Sequence, residues 1–82
     1  MDEKMRISNA EMKVMNQIWK AEEMVTVPEV LEILKKEGEE WTYPTVATFL
    51  RRLTAKEILG VTKKGNKLCY FPLVSKEQYE KK

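Results

Sequence analysis

Three threonine hydroxyls and two guanidinium groups crowd into residues 41–53, WTYPTVATFLRRL: Thr42, Thr45, Thr48, Arg51 and Arg52. Hydroxyls and guanidinium groups at this spacing form a recognition surface rather than a bond-making centre. On a helix turning about 100° per residue, Val46, Phe49, Leu50 and Leu53 fall on one side. Thr45, Thr48 and Arg52 fall together on another, with Pro44 and Arg51 beside them. Short hydroxyls lie toward the N-terminal end and guanidinium groups toward the C-terminal end, and no acidic residue interrupts the face before Glu57. A helix that only filled a core would not need this outer face.

The face suits double-stranded DNA. A threonine offers a hydroxyl to a base edge and a methyl group to thymine. Recognition helices set their N-terminal residues against base edges in the major groove, and small side chains permit that approach. The free amides of a helix start favour phosphate. Thr45 and Thr48, with Pro44 and Tyr43, are therefore the expected base readers, and Thr42, Arg51 and Arg52 the expected backbone contacts. Farther along, Lys63, Lys64, Asn66 and Lys67 cluster at a hairpin tip, where they are expected to meet flanking phosphates and add affinity without sequence information. Plainer roles compete. Thr42 is placed to cap its helix, Arg52 to pair with a carboxylate of an earlier helix, and the lysines to blunt a sheet edge.

Catalysis has little to stand on. The chain has no histidine and one cysteine, Cys69. That leaves neither a zinc ligand set nor a Cys–His pair. The adjacent carboxylates Glu22–Glu23 and Glu39–Glu40 lie in polar segments without apolar neighbours to raise a pKa. There is no glycine-rich phosphate loop. No cofactor, metal or small-molecule ligand is expected, and the chain is not expected to be an enzyme. Trp19 and Trp41 read as core residues, and Cys69 as a small buried or half-buried hydrophobe.

The elements needed to position the outer face follow from patterning. Residues 1–6 read as a polar tail. SNAE, residues 8–11, is a capping box opening a first helix to about Lys20, with Ile7 and Met12 placed as a staple. Met12, Met15, Ile18 and Trp19 supply its apolar face. Met24, Val25 and Thr26 form one brief strand. Thr26 caps a second helix with Pro28 in its first turn, Val27, Val30, Leu31 and Leu34 on its inner face, Lys35 and Lys36 near its end, and Gly38 at its C-cap. The third helix runs from Thr42 or Tyr43 to near Glu57, and Gly60 breaks it. The period then changes from 3.6 to 2: residues 61–72, VTKKGNKLCYFP, are two strands around a Gly65–Asn66 turn, with Leu68 and Tyr70 facing inward and Pro72 at the strand end or on an edge. Ser75 caps a last helix. Helix, short strand, helix, helix, hairpin and the start of a helix make a winged helix-turn-helix: mainly α, with a small antiparallel sheet.

At 82 residues the chain is one small domain, 43% hydrophobic and 34% charged. No apolar run approaches the ~20 residues of a membrane span, and MDEKMRIS lacks the apolar stretch of a signal peptide. A cytoplasmic location is expected. The net charge of +2 conceals an asymmetry. Residues 1–50 hold six basic and ten acidic side chains, net −4, whereas residues 51–82 hold nine basic and three acidic, net +6. The basic half points to a polyanion. A winged helix can instead serve protein–protein contact without DNA readout. That alternative calls for an apolar outer face on the third helix, and the sequence has hydroxyls and arginines there.

Three blocks together, residues 7–19 (ISNAEMKVMNQIW), 41–53 (WTYPTVATFLRRL) and 63–75 (KKGNKLCYFPLVS), resemble the penicillinase-repressor (BlaI/MecI) family, which includes CopY-type repressors. The resemblance covers nearly the whole chain from Ile7 to Tyr79. It implies a bacterial transcriptional repressor that binds, as a homodimer, an inverted-repeat operator with TACA/TGTA-like half-sites. The helix matching residues 43–57 would enter the major groove, with Thr45 and Thr48 in the base-reading segment. Members guard genes for β-lactamase, an alternative penicillin-binding protein or copper export. In the β-lactam branch, repression is relieved after a membrane sensor-protease triggers cleavage in the C-terminal part. The resemblance also implies a C-terminal dimerisation segment holding the cleavage region. Residues 7–74 are therefore expected to be the DNA-binding domain and residues 75–82 the truncated start of that segment. The cysteine cluster of the copper branch is absent from these residues.

Overall fold

The computed structural model describes residues 7–21 and 23–81. The expected polar tail at 1–6, and Glu22 of the Glu22–Glu23 pair, lie outside the described residues. Four helices and one hairpin follow in the order α1 (Asn9–Lys20), α2 (Val27–Lys36), α3 (Tyr43–Ala55), β1 (Leu59–Lys64), β2 (Lys67–Pro72) and α4 (Lys76–Lys81). The fold is a winged helix.

Local chemistry fixes the helix starts. The Glu11 amide donates to Ser8 Oγ at 3.2 Å, and the Ser8 amide donates to Glu11 Oε1 at 2.8 Å, closing a capping box on α1. Thr26 and Glu29 close a second on α2, at 2.9 and 3.4 Å. Ser75 and Gln78 make the same reciprocal pair at α4, at 2.9 and 3.0 Å. Each box satisfies two amides that the helix itself leaves unpaired.

The helix ends are just as explicit. At α2, Gly38 takes φ +89°, with Gly38 N–H donating to Lys35 O at 3.0 Å and Glu39 N–H to Leu34 O at 2.9 Å. This is a Schellman closure. α3 closes the same way, with Glu57 N–H on Thr54 O and Ile58 N–H on Leu53 O, each 3.0 Å. Here the left-handed position, φ +65°, belongs to Glu57. The chain therefore stops α3 by a backbone motif, and Gly60 is not the breaker expected from sequence. Gly60 lies within β1, where a Cβ would come within 2.6 Å of the Phe71 ring and 3.1 Å of Leu73 Cδ2. Its role is to let the ring lie flat on the strand.

β1 and β2 pair antiparallel from Leu59↔Pro72 to Lys64↔Lys67. Gly65, at φ +63°, takes the first turn position, as the mirror-image hairpin turns require. The brief strand expected at Met24–Thr26 is a single bridge: Val25 and Tyr70 exchange both backbone hydrogen bonds, at 2.9 and 2.7 Å. That bridge ties the α1–α2 connection to β2.

The core holds Val14, Met15 and Ile18 of α1, Val25, then Val27, Val30 and Leu34 of α2, Val46, Leu50 and Leu53 of α3, and Ile58, Leu59 and Tyr70. Burying each such side chain is worth about 1.5–3 kcal/mol. The α1 stripe is rotated from the expected one. Met12 and Trp19 are half-buried at its flanks, while Val14 and Glu11 occupy its centre. A carboxylate in the first position of the stripe disguised it. Glu11 is 3% exposed, and its two oxygens accept from Lys56 Nζ at 3.0 and 3.1 Å. The pair links the start of α1 to the end of α3. Burial acts to raise the Glu11 pKa. The Ser8 amide and the Lys56 ammonium outweigh it and hold the carboxyl below its ordinary value of 4.5.

Leu31, Phe49 and Trp41 pack half-buried around the core rather than inside it. Cys69 is buried, as the sequence suggested. Trp19 donates its indole N–H to Val74 O at 2.9 Å, and its ring lies 6.0 Å from that of Tyr79. The start of α4 is thus anchored on α1.

Candidate nucleic-acid interface

α3 presents the arrangement expected of its sequence. Val46, Leu50 and Leu53 point into the core, and Tyr43, Pro44, Thr45, Arg51 and Arg52 are exposed, with Thr48 half-buried on the same outer side. The inner stripe is what fixes the outer one. Anchoring three apolar side chains against α1 and α2 leaves the helix no freedom to roll.

The hydroxyls are already partly committed. Thr48 Oγ1 donates to Pro44 O at 2.8 Å. A hydroxyl carries one proton, so Thr48 offers an approaching partner an acceptor oxygen and a methyl group. Thr42 Oγ1 and Thr45 Oγ1 share one hydrogen bond at 3.0 Å, which leaves one proton between them for a further partner.

Thr42 stands at the N-cap position but caps no amide. Its hydroxyl is turned to Thr45 instead. α1, α2 and α4 each begin with a closed box, whereas the first turn of α3 has Pro44, no acidic residue and no side-chain cap. Amides left without a cap at the positive end of the helix dipole are the ordinary chemistry of phosphate binding.

Arg52 does not pair with a carboxylate of the first two helices. Its guanidinium carbon lies 5.7 Å from the centre of the Phe49 ring, and Phe49 is backed by Trp41 at 5.2 Å between ring centroids. It is Lys56, one helical turn farther on, that pairs with a carboxylate of α1, Glu11. Arg52 is exposed, with its guanidinium placed over an aromatic ring. Arg51 is exposed beside it.

The wing brings a second set of groups to this side of the molecule. Lys63, Lys64, Asn66 and Lys67 are all exposed around the Gly65–Asn66 turn. Asn66, Lys67 and Leu68 line one open groove with Tyr43 and with Thr26, Val27, Pro28 and Glu29 at the start of α2. The structure therefore joins the start of α3 to the wing tip, two segments more than twenty residues apart in sequence.

Leu68 departs from its expected place. It was expected to face inward with Tyr70, yet it is 52% exposed while Tyr70 is 5% exposed. Both residues lie on the same face of the hairpin. Leu68 lies two residues nearer the turn than Tyr70 and lines an open groove instead of the core. Alternation identifies the face of a strand and says nothing about how far the cover extends.

Among the described residues no group of three or more His, Cys, Asp or Glu side chains is placed to hold a metal, and no helix is long and apolar enough to cross a membrane.

Residues 7–82 match the family described as penicillinase repressor. The chain is 35% identical over 74 residues to the penicillinase repressor of Bacillus licheniformis, a match that takes in 90% of this chain and 56% of that protein. It thus spans little more than half the length of this curated relative. The fold is similar to the solution structure of the DNA-binding domain of the repressor BlaI, with 34% identity and a TM-score of 0.79 over 96% of this chain and 94% of that one. It is also similar to Bacillus licheniformis BlaI, solved in monomeric form in complex with the blaP half-operator, with 35% identity and a TM-score of 0.73 over 90% of this chain and 88% of that one.

Proposed function

The chain belongs to the penicillinase repressor family, and we propose that it is the part of a transcriptional repressor that reads operator DNA. The family is one of DNA-binding regulators, not of enzymes. The observation that carries the reading is the uncapped, acid-free start of α3 standing beside a lysine-tipped wing, on a fold shared with a repressor solved on its half-operator.

In this reading α3 enters the major groove with Tyr43, Pro44, Thr45 and Thr48 toward the base edges. Thr48, its proton engaged by Pro44, accepts from an exocyclic amine of adenine or cytosine or meets a thymine methyl group. Thr42, Arg51 and Arg52 lie along the phosphates of the same groove. Lys63, Lys64, Asn66 and Lys67 reach the backbone that flanks it. Two copies, paired through a segment following residues 75–82, would read an inverted repeat with TACA/TGTA-like half-sites, in the cytoplasm, beside genes for antibiotic resistance or copper homeostasis.

The test is a fluorescence-anisotropy titration of this chain with two labelled duplexes, one carrying the inverted repeat and one a scramble of it, at two salt concentrations. Preference for the repeat together with steep salt dependence is the expected result. Equal, salt-sensitive binding to both duplexes would leave a basic surface without readout. Binding to neither would remove the DNA reading and leave a winged helix that contacts protein.

A further inference from the structure

The wing tip is more than a cluster of cations. Among the residues surrounding its turn, Lys63, Lys64, Gly65, Asn66 and Lys67, Leu68 is the one large apolar side chain. It is 52% exposed, so a large apolar side chain is left mostly in water. Tyr43, at 53% exposed, lines the same groove. Two of the exposed large hydrophobic residues thus line one groove. Lys67 and Asn66 lie at the same groove, which is continuous with the uncapped start of α3.

We propose that this groove is a subsite for one deoxyribose–phosphate segment of bound duplex, with Lys67 and Asn66 on the phosphate and Leu68 and the flank of the Tyr43 ring closing on the sugar, while the Tyr43 hydroxyl stays toward the base edges. The proposal rests on the DNA-binding reading above and adds to it an apolar contact at the backbone. A sugar–phosphate unit has both characters the groove displays: a charged group needing a cation and an amide donor, and a ring whose C–H surface gains from apolar walls. Val27 and Pro28 continue the apolar wall on the α2 side. Glu29 also lines the groove and is its one carboxylate. Its Oε1 accepts from the Thr26 amide at 2.9 Å, which holds that oxygen on the α2 cap. The phosphate accordingly belongs on the wing side and the sugar between Leu68 and Tyr43.

An apolar contact and an ionic one respond differently to salt. Counterion release makes the ionic part fall with log salt, about one unit of slope for each phosphate neutralised, whereas burial of a leucine releases no ions. The experiment measures Kd for the repeat and scrambled duplexes across 50–300 mM salt with wild type, Leu68→Ser, Leu68→Met, Leu68→Lys and Lys67→Ala. Leu68→Ser is expected to weaken both duplexes roughly three- to tenfold at every salt concentration with an unchanged slope. Leu68→Met, which keeps the apolar volume, should bind like wild type. Leu68→Lys should be weaker than wild type at 300 mM, where an added cation counts least. Lys67→Ala should reduce the slope by about one. Leu68 is at the surface, and unchanged thermal unfolding of the variants confirms that folding is not the cause. If Leu68→Ser binds both duplexes as wild type does, the subsite is wrong and the DNA reading stands. A Leu68→Ser loss that comes with a smaller slope also overturns the apolar contact. If the wild type binds no duplex, the reading and the subsite fall together.

Discussion

Thr48 gives its proton to the carbonyl of Pro44, and that single bond limits what the residue can say to a base. Thr48→Val keeps the methyl group and the volume and removes the acceptor oxygen. If the oxygen reads an exocyclic amine, the variant should lose about 1 kcal/mol for the preferred duplex, roughly five- to tenfold in Kd, and little for the scramble. If the methyl group carries the contact, Thr48→Val should bind like wild type and Thr48→Ser should be the weaker variant. A competition titration between the two duplexes separates these outcomes. Glu11 sets a second expectation at this scale. Its folded pKa lies below 4.5, so the stability it supplies is fully present above the ordinary carboxylate value and is lost as pH falls through the depressed one. Stability should therefore drop below about pH 4.5. Glu11→Gln should be less stable at pH 7, by about 1 kcal/mol for the lost charge-assisted bond, and should show a shallower acid limb in urea titrations.

The elements are defined by their ends as much as by their faces. α2 ends on a glycine in the left-handed region, and α3 ends the same way on Glu57. A left-handed L-residue costs about 1–2 kcal/mol, part of which glycine returns through its larger unfolded-state entropy. Glu57→Gly is thus expected to stabilise the domain by about 0.5–1 kcal/mol and to raise Tm by several degrees, with DNA affinity unchanged, as calorimetry and the duplex titration would show. Sequence patterning located α2, α3 and the hairpin turn well because their signals are short-range: Thr26, Pro28 and Gly38 for α2, Pro44 for α3, and Gly65–Asn66 for the turn. It placed the end of α3 near Glu57, close to the observed Ala55, but gave the stop to Gly60, because the Schellman geometry is closed by backbone groups and Glu57 carries no local sign of it. It misread Gly60 because a glycine that makes room for a ring looks the same in sequence as one that ends a helix. The relevant ring, Phe71, is eleven positions away.

At the scale of the molecule, the charge asymmetry is an arrangement of surfaces. Five of the nine basic residues of the second half, Arg51, Arg52, Lys63, Lys64 and Lys67, lie on the outer side of α3 or on the wing, whereas the box carboxylates Glu11 and Glu29 are tied to their own helix starts. Replacing Lys63, Lys64 and Lys67 together by alanine should lower the salt slope by about three while leaving the ratio between repeat and scramble intact. A fall in that ratio would assign the wing a role in readout. One core also joins α1, α2, α3 and the hairpin, with Leu50 fully buried in it, so Leu50→Ala is expected to cost about 2–5 kcal/mol and to lower the midpoint of a single cooperative unfolding transition.

The sequence alone determined the helix starts, the hairpin turn, the apolar faces of α2 and α3, and with them the hydroxyl-and-guanidinium face of α3. All of these follow from interactions within a few residues, and near-neighbour chemistry is written in near-neighbour order. Tertiary structure decided what depends on distant segments meeting. It put Lys56, and not Arg52, against a carboxylate of α1; it rolled α1 so that Glu11 lies inside; it set the Arg52 guanidinium over Phe49; and it left Leu68 half covered in a groove shared with Tyr43. No local pattern encodes how much of a strand face the rest of the molecule covers, because that is set by packing around the whole core.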